Sequence, residues 1–303
     1  MLSIKTIKRR IKTAKNIGQI TRAMQLVAAS RMQKAQGKAL ASRPYAEKLS
    51  DVFGNLSKTT VIPNGNKDKV ILILIAPDRG LCGGLVTALG RKLWEFLEEN
   101  GDKTREFIVV GKKARELAFR AGGNIVAEFL MGSGAPKYEM VPPIVNLLSA
   151  NNFPKTTLIY PRFINTMVQE PVTRQLLPAV GEMEPQVKPL GSTQRPVGAN
   201  IPHHPATGGI GAGTETVQGD KYLFEPTAET VFGEIFPHYL EMEIYQVILE
   251  AYASEQSARM IAMKNASDNA QDITKELVLT YNKVRQQAIT NEIADIATAA
   301  VMI

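Results

Sequence analysis

The sequence predicts an α/β protein in which helices from the two ends of the chain form a long antiparallel coiled coil, with an α/β domain inserted between them. Three observations support this prediction. Apolar residues recur at helical spacing at both ends, the centre alternates apolar runs with amphipathic stretches, and residues 239–303 contain neither glycine nor proline. We therefore divide the 303 residues into an N-terminal helix (1–62), an α/β domain (68–226) and a C-terminal helix (227–303).

The N-terminal helix is predicted from apolar residues that follow one another at gaps of three and four. They are Ile4, Ile7, Ile11, Ala14, Ile17, Ile20, Met24 and Val27. A residue that precedes proline is biased out of the helical conformation, so we expect a kink or an interruption at Arg43-Pro44. The helix resumes to about Leu56, and a turn cluster at residues 63–66 ends this element.

The first 60 residues hold an unusual excess of positive charge. They contain thirteen Lys and Arg residues against two acids, a balance of +11, whereas the whole chain has a formal net charge of +7. This excess favours an acidic partner: a nucleic acid, a membrane surface or an acidic protein surface. The alternative is a helix face in contact with solvent alone, but such faces usually mix charges of both signs.

Strand-like and helix-like segments alternate in the centre of the sequence, which indicates a compact layer with a mainly parallel sheet. The predicted strands are 70–75, 107–110 and 157–160, and the predicted helices are 85–97 and 112–121. After Met167, the prolines at 171 and 178 predict short edge strands. Residues 191–219 are rich in Gly, Pro, Thr and Ala, and we interpret them as a flexible loop.

Residues 239–303 carry a pattern that repeats every 3.5 residues on average, which is typical of a left-handed coiled coil. Ten of its fourteen positions are apolar. The positions are Met242, Tyr245, Leu249, Tyr252, Gln256, Arg259, Met263, Ala266, Ala270, Ile273, Leu277, Thr280, Val284 and Gln287. The segment has nine acids and five bases, so its charge is opposite to that of the N-terminal helix, and we expect the two helices to pair antiparallel.

Groups of residues that perform catalysis or hold a cofactor are missing from the sequence. His203 and His204 fall in the predicted loop, and the remaining histidine is His238. Cys82, the single cysteine, lies in a glycine-rich turn that lacks the dinucleotide, P-loop and nucleophile-elbow patterns. We predict no catalytic residue, no metal and no cofactor. We also predict a soluble, intracellular protein, because no apolar run is long enough to span a membrane.

The end of the chain is unusually apolar for the end of a helix. No charged side chain follows Asp295. Two interpretations stay open: a frayed tail, and a helix end that inserts into an apolar sleeve of another protein.

Five segments, in this order along the chain, resemble the gamma subunit of F-type ATP synthases, the central rotor shaft. They are residues 20–32 (ITRAMQLVAASRM), 42–45 (SRPY), 78–84 (DRGLCGG), 253–260 (ASEQSARM) and 281–293 (YNKVRQQAITNEI). The resemblance covers nearly the whole chain. It implies that the inserted α/β domain is Rossmann-like.

The resemblance also implies a function and a set of partners. A rotor shaft couples ion-driven rotation of a c-subunit ring to conformational cycling of catalytic sites on beta subunits, and the shaft itself is non-catalytic. The implied partners are three alpha and three beta subunits, an epsilon subunit and the c-subunit ring, with no nucleic acid. The implied location is peripheral, on the cytoplasmic side of the bacterial plasma membrane.

Position-by-position comparison with this family implies the partner-contact residues. Arg285, Gln286 and Thr290 match positions where the long helix contacts beta-subunit loops. Met24 and Arg259 match positions where the shaft either meets an acidic lever region of beta or stabilises the coiled coil. Glu292 is predicted to be a further partner contact.

Other interpretations of the same sequence remain. The main alternative is a basic coiled-coil nucleic-acid-binding α/β protein, which would bind DNA or RNA with salt-dependent affinity. A dinucleotide enzyme that dimerises through its helices is disfavoured by the missing glycine fingerprint. In a rotor shaft, residues 191–219 are either a spacer or a wedge between rotor and stator, and we favour the spacer.

Overall fold

The computed structural model describes residues 4–59, 70–100, 106–132, 134–177, 225 and 227–301. Its elements are α1 (Ile4–Thr59), β1 (Val70–Ile75), α2 (Leu85–Asn100), β2 (Glu106–Val110), α3 (Lys112–Arg120), β3 (Asn124–Phe129), α4 (Pro142–Ala150), β4 (Lys155–Phe163), β5 (Gln169–Leu177) and α5 (Ala228–Val301). The predicted loop at 191–219, with His203 and His204, lies outside the described residues. The division of the chain at 62, 68 and 226 stays a prediction.

The five strands form one sheet in the order β3-β2-β1-β4-β5, which confirms the prediction of a mainly parallel sheet. The neighbours from β3 to β4 are parallel, and β5 is antiparallel to β4. The order 3-2-1-4 with crossover helices is that of a Rossmann-like domain. Because β1 lies in the centre and is covered on both faces, nearly all of its residues are apolar and buried.

Side chains of β1 alternate between two hydrophobic cores. Ile71, Ile73 and Ile75 point to the face covered by α4 and by the inner parts of α1 and α5. Leu72 and Leu74 point to the opposite face, where α2 and α3 pack. The long helices therefore serve as one layer of the α/β domain before they extend away from it.

The antiparallel strand β5 lies at the sheet edge, as Pro171 predicts, but it is not short. It contains nine residues, as many as β4, and Pro171 lies opposite Pro161 in the ladder. Proline lacks the N–H that a strand donates, so two facing prolines lose part of the ladder at one point and leave the rest intact. Pro178 lies outside the described residues.

Helices α1 and α5 form the antiparallel pair that the sequence predicts. Ser42 of α1 accepts a hydrogen bond from Gln246 of α5 (2.9 Å), whereas Gly18 lies beside Ser267, so residue numbers fall on one helix as they rise on the other. With 74 residues, α5 is about 110 Å long.

Of the two outcomes expected at Arg43-Pro44, the interruption is wrong, because α1 continues through Pro44 as one helix, and the kink stays a prediction. The buried residues Ala39 and Phe53 hold the helix against the same core on either side of the proline. Tertiary packing thus outweighs the local preference of the residue before proline.

Gly111 provides a stability test of the α/β domain. Its φ of 99° is unfavourable for other residues, and a Cβ there would lie 1.9 Å from the carbonyl oxygen of Ala76. We expect Gly111→Ala to destabilise the full chain by about 3 kcal/mol or more in thermal unfolding followed by circular dichroism. The matched control is Gly37→Ala, which has open space on a helix and should stabilise by up to about 1 kcal/mol. An unchanged midpoint for Gly111→Ala would contradict this account.

Candidate partner-contact surface

The inner face of α1 follows a 3.5-residue repeat over its whole length. Sixteen buried and half-buried positions of α1 follow one another at alternating gaps of three and four. They are Ile4, Ile7, Ile11, Ala14, Gly18, Thr21, Gln25, Ala28, Met32, Ala35, Ala39, Ser42, Ala46, Leu49, Phe53 and Leu56. This spacing is that of a left-handed coiled coil. Three apolar residues that the sequence places on this face, Ile17, Ile20 and Val27, are instead 49%, 60% and 50% exposed.

From Met263 onward, every second position that the sequence predicts to face α1 is wrong, and the residue that follows it faces α1 instead. Met263, Ala270, Leu277 and Val284 face α1 as predicted. Ile273, Thr280 and Gln287 are exposed, and the residues that follow them, Thr274, Tyr281 and Ala288, face inward instead. Ser267, similarly, is more deeply buried than the predicted Ala266.

Close approach of the two backbones explains this register. The Ser267 hydroxyl donates to the carbonyl oxygen of Gly18 (3.4 Å), and a Cβ on Gly18 would lie 3.5 Å from the Cβ of Ala270. Small side chains are needed where helix axes come this close. Ser267 and Thr274 therefore face α1, and the larger Ile273 faces solvent. Beside this contact runs an open groove of about 400 Å³, lined in part by Lys15, Arg22 and Lys275.

The distal end of α5 is exposed after Ala288. The register places Ile4 near Tyr281, and each side chain described beyond Ala288 is exposed. On this segment Ile289, Ile293 and Ile296 are 47%, 62% and 70% exposed. Their spacing of four and three residues aligns them on one side of the helix. The result is an apolar stripe that no described residue of this chain covers.

Four of the six predicted contact residues lie on or next to this distal end. Arg285, Gln286, Thr290 and Glu292 are all exposed. The Arg285 guanidinium lies 6.0 Å from the centre of the Tyr281 ring, and the Thr290 hydroxyl donates to the Gln286 carbonyl (2.9 Å). Their side chains are accessible, and their contact with a partner stays a prediction.

Arg259 occupies a different environment, because its side chain binds other residues of this chain. Its side chain is 9% exposed and forms a 2.7 Å ion pair with Glu255. The guanidinium also donates to the backbone carbonyls of Arg79 (2.9 Å) and Gly80 (3.3 Å). Arg259 thus joins α5 to the turn after β1, and which of its two implied roles it serves stays a prediction. Met24 is half-buried on α1.

The glycine-rich turn after β1 is built for close packing. Leu81 and Gly83 have positive φ angles of 64° and 62°, and a Cβ on Gly83 would lie 4.0 Å from the Cβ of Ala262 on α5. Asp78 fixes the turn by accepting hydrogen bonds from the amides of Lys112 (3.1 Å) and Gly132 (2.8 Å). Burial raises the pKa of the Cys82 thiol, which disfavours the thiolate that a nucleophile requires.

Glu250 is a buried carboxyl group between α5 and the β4–β5 hairpin. It is 2% exposed, and its Oε1 accepts a hydrogen bond from the amide of Phe163 (3.1 Å). Burial raises its pKa to about 7, opposed by that hydrogen bond and by Arg162 and Arg174. The sequence does not point to this group, because an acid at a helical position does not reveal which residues will cover it.

The described part of the chain contains neither a candidate metal site nor a candidate membrane-spanning helix. Within it, no three His, Cys, Asp or Glu side chains gather closely enough to hold a metal ion. The Nδ1 atom of His238 lies 3.2 Å from a carboxylate oxygen of Glu241. Among the described helices, none combines the length and apolar character that crossing a bilayer requires.

A long helical pair that carries an α/β domain and ends in an exposed apolar stripe defines a coiled-coil shaft protein. The family model described as ATP synthase matches residues 3–301. The chain is 37% identical to the ATP synthase gamma chain of Herpetosiphon aurantiacus, and the alignment covers 99% of this chain and 98% of the relative. It is also 37% identical to the gamma chain of a Dehalococcoides mccartyi strain, with 99% of each chain covered. The chain belongs to the ATP synthase gamma chain family.

Solved structures share this fold. A chain of the Euglena gracilis mitochondrial ATP synthase, described as OSCP/F1/c-ring in rotational state 3, matches with a TM-score of 0.64 at 16% identity. The match covers 98% of this chain and 93% of that one. A chain of the Tetrahymena thermophila mitochondrial ATP synthase central stalk and c-ring matches with a TM-score of 0.56 at 23% identity, over 82% and 99% of the two chains.

Glu250 gives a pH-dependent prediction for stability. Its pKa is higher in the folded chain than the ordinary value of 4.5, so the folded state binds the proton more tightly. The contribution of Glu250 to stability is therefore greatest below about pH 4.5 and falls as pH rises to about 7, by about 3 kcal/mol at most. Glutamine keeps an oxygen for the Phe163 amide and does not ionise.

We therefore expect Glu250→Gln to match the original chain at pH 5 and to unfold at a higher temperature at pH 8. The measurement is thermal unfolding of the full chain across this range. Exposed Glu276→Gln, on the same helix, is the control and should show no such pH-dependent gain. A Glu250→Gln midpoint that follows the original chain at every pH would contradict the assignment.

Proposed function

We propose that this chain is the central rotor shaft of an F1Fo ATP synthase. It couples ion-driven rotation of a c-subunit ring to conformational cycling of the catalytic sites on beta subunits, for ATP synthesis or hydrolysis. The observation that carries this proposal is the antiparallel pair of α1 and α5, from which the distal end of α5 continues with an exposed apolar stripe. Family membership over residues 3–301 supports it.

The geometry of the pair suits a rotating shaft. Two helices with a continuous seam resist bending and twisting better than one, because every turn of α1 is packed against α5. The pair is not symmetric about its own axis, since its helices differ in sequence, charge and length. As it turns, an off-axis shaft presents a different surface to each of the surrounding subunits in succession.

The exposed end of α5 is the proposed bearing contact. The isoleucines at 289, 293 and 296 would lie against an apolar sleeve formed by the alpha and beta subunits, where non-directional contacts allow rotation. Arg285, Gln286, Thr290 and Glu292 would supply polar contacts to beta-subunit loops. This assignment favours insertion over a frayed tail for the chain end.

The remaining partners follow from the same proposal. The shaft would pass through a ring of three alpha and three beta subunits, whose acidic lever surfaces meet the positive charge of α1 near Met24. The α/β domain would bind the epsilon subunit and the c-subunit ring. This chain would be a non-catalytic, peripheral subunit of a proton- or sodium-transporting ATPase at the cytoplasmic side of a bacterial plasma membrane.

The alternative of a basic nucleic-acid-binding protein receives no support from the family that the chain matches. The two functions differ in a simple measurement. A nucleic-acid-binding protein loses affinity steeply as salt rises, whereas a shaft is retained in the complex through its buried apolar end.

Co-expression tests the proposed function directly. We expect this chain, produced with alpha and beta subunits of the same source, to co-purify as one copy per three beta subunits in a complex that hydrolyses ATP. The measurement is subunit stoichiometry by quantitative gel or native mass spectrometry. A fully active hexamer whose turnover does not change when this chain is absent would refute the proposal.

Thr290 tests the contact assignment on α5. We expect Thr290→Asp to lower ATP turnover of the complex about tenfold, because a buried charge at a partner contact costs about 1–3 kcal/mol. Thr280→Asp is the matched control: Thr280 is also exposed on α5 and also donates to the carbonyl four residues earlier (3.0 Å). Equal losses for both variants would mean that position 290 is not a specific contact.

A further inference from the structure

Three polar residues of α5 face the β4–β5 hairpin along one line. Glu243, Glu250 and Ser257 are separated by seven residues each, so they lie on the same side of the helix. From the first to the last they span about 21 Å of helix. Glu250 and Ser257 are 2% and 0% exposed, and the Glu243 side chain is 15% exposed. We refer to these three residues as the α5 polar stripe.

Each member of the α5 polar stripe binds the hairpin. Glu243 forms an ion pair with Arg174 of β5. Glu250 accepts the hydrogen bond from the Phe163 amide at the end of β4 (3.1 Å). The Ser257 hydroxyl binds the turn itself.

Ser257 makes two of these contacts. Its hydroxyl donates to the Thr166 carbonyl (2.7 Å) and accepts from the Gln169 side-chain amide (3.3 Å). The hairpin is thus held at three heights on one helix, by bonds to β5, to the end of β4 and to the turn.

These bonds add something that the apolar contacts around them do not. Leu240, Ile244 and Ile248 hold α5 against the sheet, but apolar burial is non-directional and tolerates sliding and rotation. Hydrogen bonds and ion pairs require a narrow range of distances and angles. The polar stripe therefore fixes the rotational angle and the axial position of α5 relative to the hairpin.

The buried position of Glu250 argues that stability alone does not explain the stripe. A carboxyl group at 2% exposure is costly when ionised, and an apolar residue of similar size would pack there at lower cost. Two more polar side chains of the stripe face the same hairpin, which indicates a common role in orientation.

We infer that Glu243, Glu250 and Ser257 are positioning residues through which torque passes between the α/β domain and the shaft. This inference rests on the proposed function. Rotation of the α/β domain by the c-subunit ring must turn α5 by the same angle, and a joint that slips loses work. The stripe transmits the turn because rotation of the hairpin about α5 would break its bonds at three heights together.

A second attachment joins α5 to the α/β domain, outside the polar stripe. Arg259 also binds α5 to the α/β domain, at the turn after β1. The loss of one side chain of the polar stripe therefore leaves the joint partly intact. The test therefore uses a double variant, Glu250→Leu with Ser257→Ala, which removes the acceptor and the hydroxyl. Its matched control is Glu250→Gln with Ser254→Ala.

The control is closely matched at both positions. Glutamine keeps an acceptor oxygen for the Phe163 amide. Ser254 is as buried as Ser257 (0% exposed), but its hydroxyl has no hydrogen-bond partner among the described residues. Both double variants thus change a buried carboxylate and a buried serine on the same helix.

The measurement is the ratio of ATP-driven ion pumping to ATP hydrolysis, in vesicles that contain the full complex with normal subunit stoichiometry. We expect this ratio to fall at least about twofold for the Leu/Ala variant, because two of the three tied heights are lost together. Its hydrolysis rate should stay within about twofold of the original, because hydrolysis requires only that the shaft turn within the ring. The Gln/Ala control should keep the original ratio.

An unchanged ratio for the Leu/Ala variant, or an equal fall for the control, would overturn the inference. If the Leu/Ala variant does not assemble, Ser257→Ala is compared with Ser254→Ala. A smaller but measurable fall is expected for Ser257→Ala, because one of the three attachments is lost, and an equal ratio for these two would also overturn the inference. Failure of the proposed function has a different signature: vesicles with the original chain would pump no better than vesicles without it.

Discussion

The close antiparallel contact between α1 and α5 is the constraint on which the rest of the structure depends. At Gly18, Ser267 and Ala270 the helices approach so closely that only small side chains fit. This contact fits one register of the two helices at this level. The register then decides which residues are left outside, including the isoleucines of α1 and the apolar stripe at the distal end of α5.

Much of the fold could be predicted from the sequence, because its main signals are periodic. The apolar run of β1 and the long segment without glycine or proline each indicate one structure. Strand β3 and helix α4 were missed. β3 is an edge strand whose residues alternate between exposed and half-buried, so it lacks the continuous apolar run of an inner strand. α4 begins with two prolines, which are usually breakers but suit the first turn of a helix.

The candidate site was predicted less completely, for physical reasons. Apolar residues alone define a seam badly where small or polar side chains occupy it, so Ile273 was preferred over Thr274 and Ile17 over Gly18. Predicted contact residues such as Thr290, which are exposed, came from resemblance to the family, since nothing in their spacing marks them. The bonds of Arg259, Glu250 and Ser257 depend on segments roughly 90 or more positions away in sequence, and no local pattern encodes them.

The pairing of the first helix with the last has a consequence for biosynthesis. Ser42 and Gln246, which bond to each other in the folded chain, are separated by 204 positions. At translation rates of about 5–20 residues per second, α1 leaves the ribosome roughly 10–40 seconds before α5 exists to cover it. During that interval the basic, amphipathic α1 segment lacks the helix against which it packs in the folded chain. Its apolar face is therefore open to non-native contacts until α5 has been made.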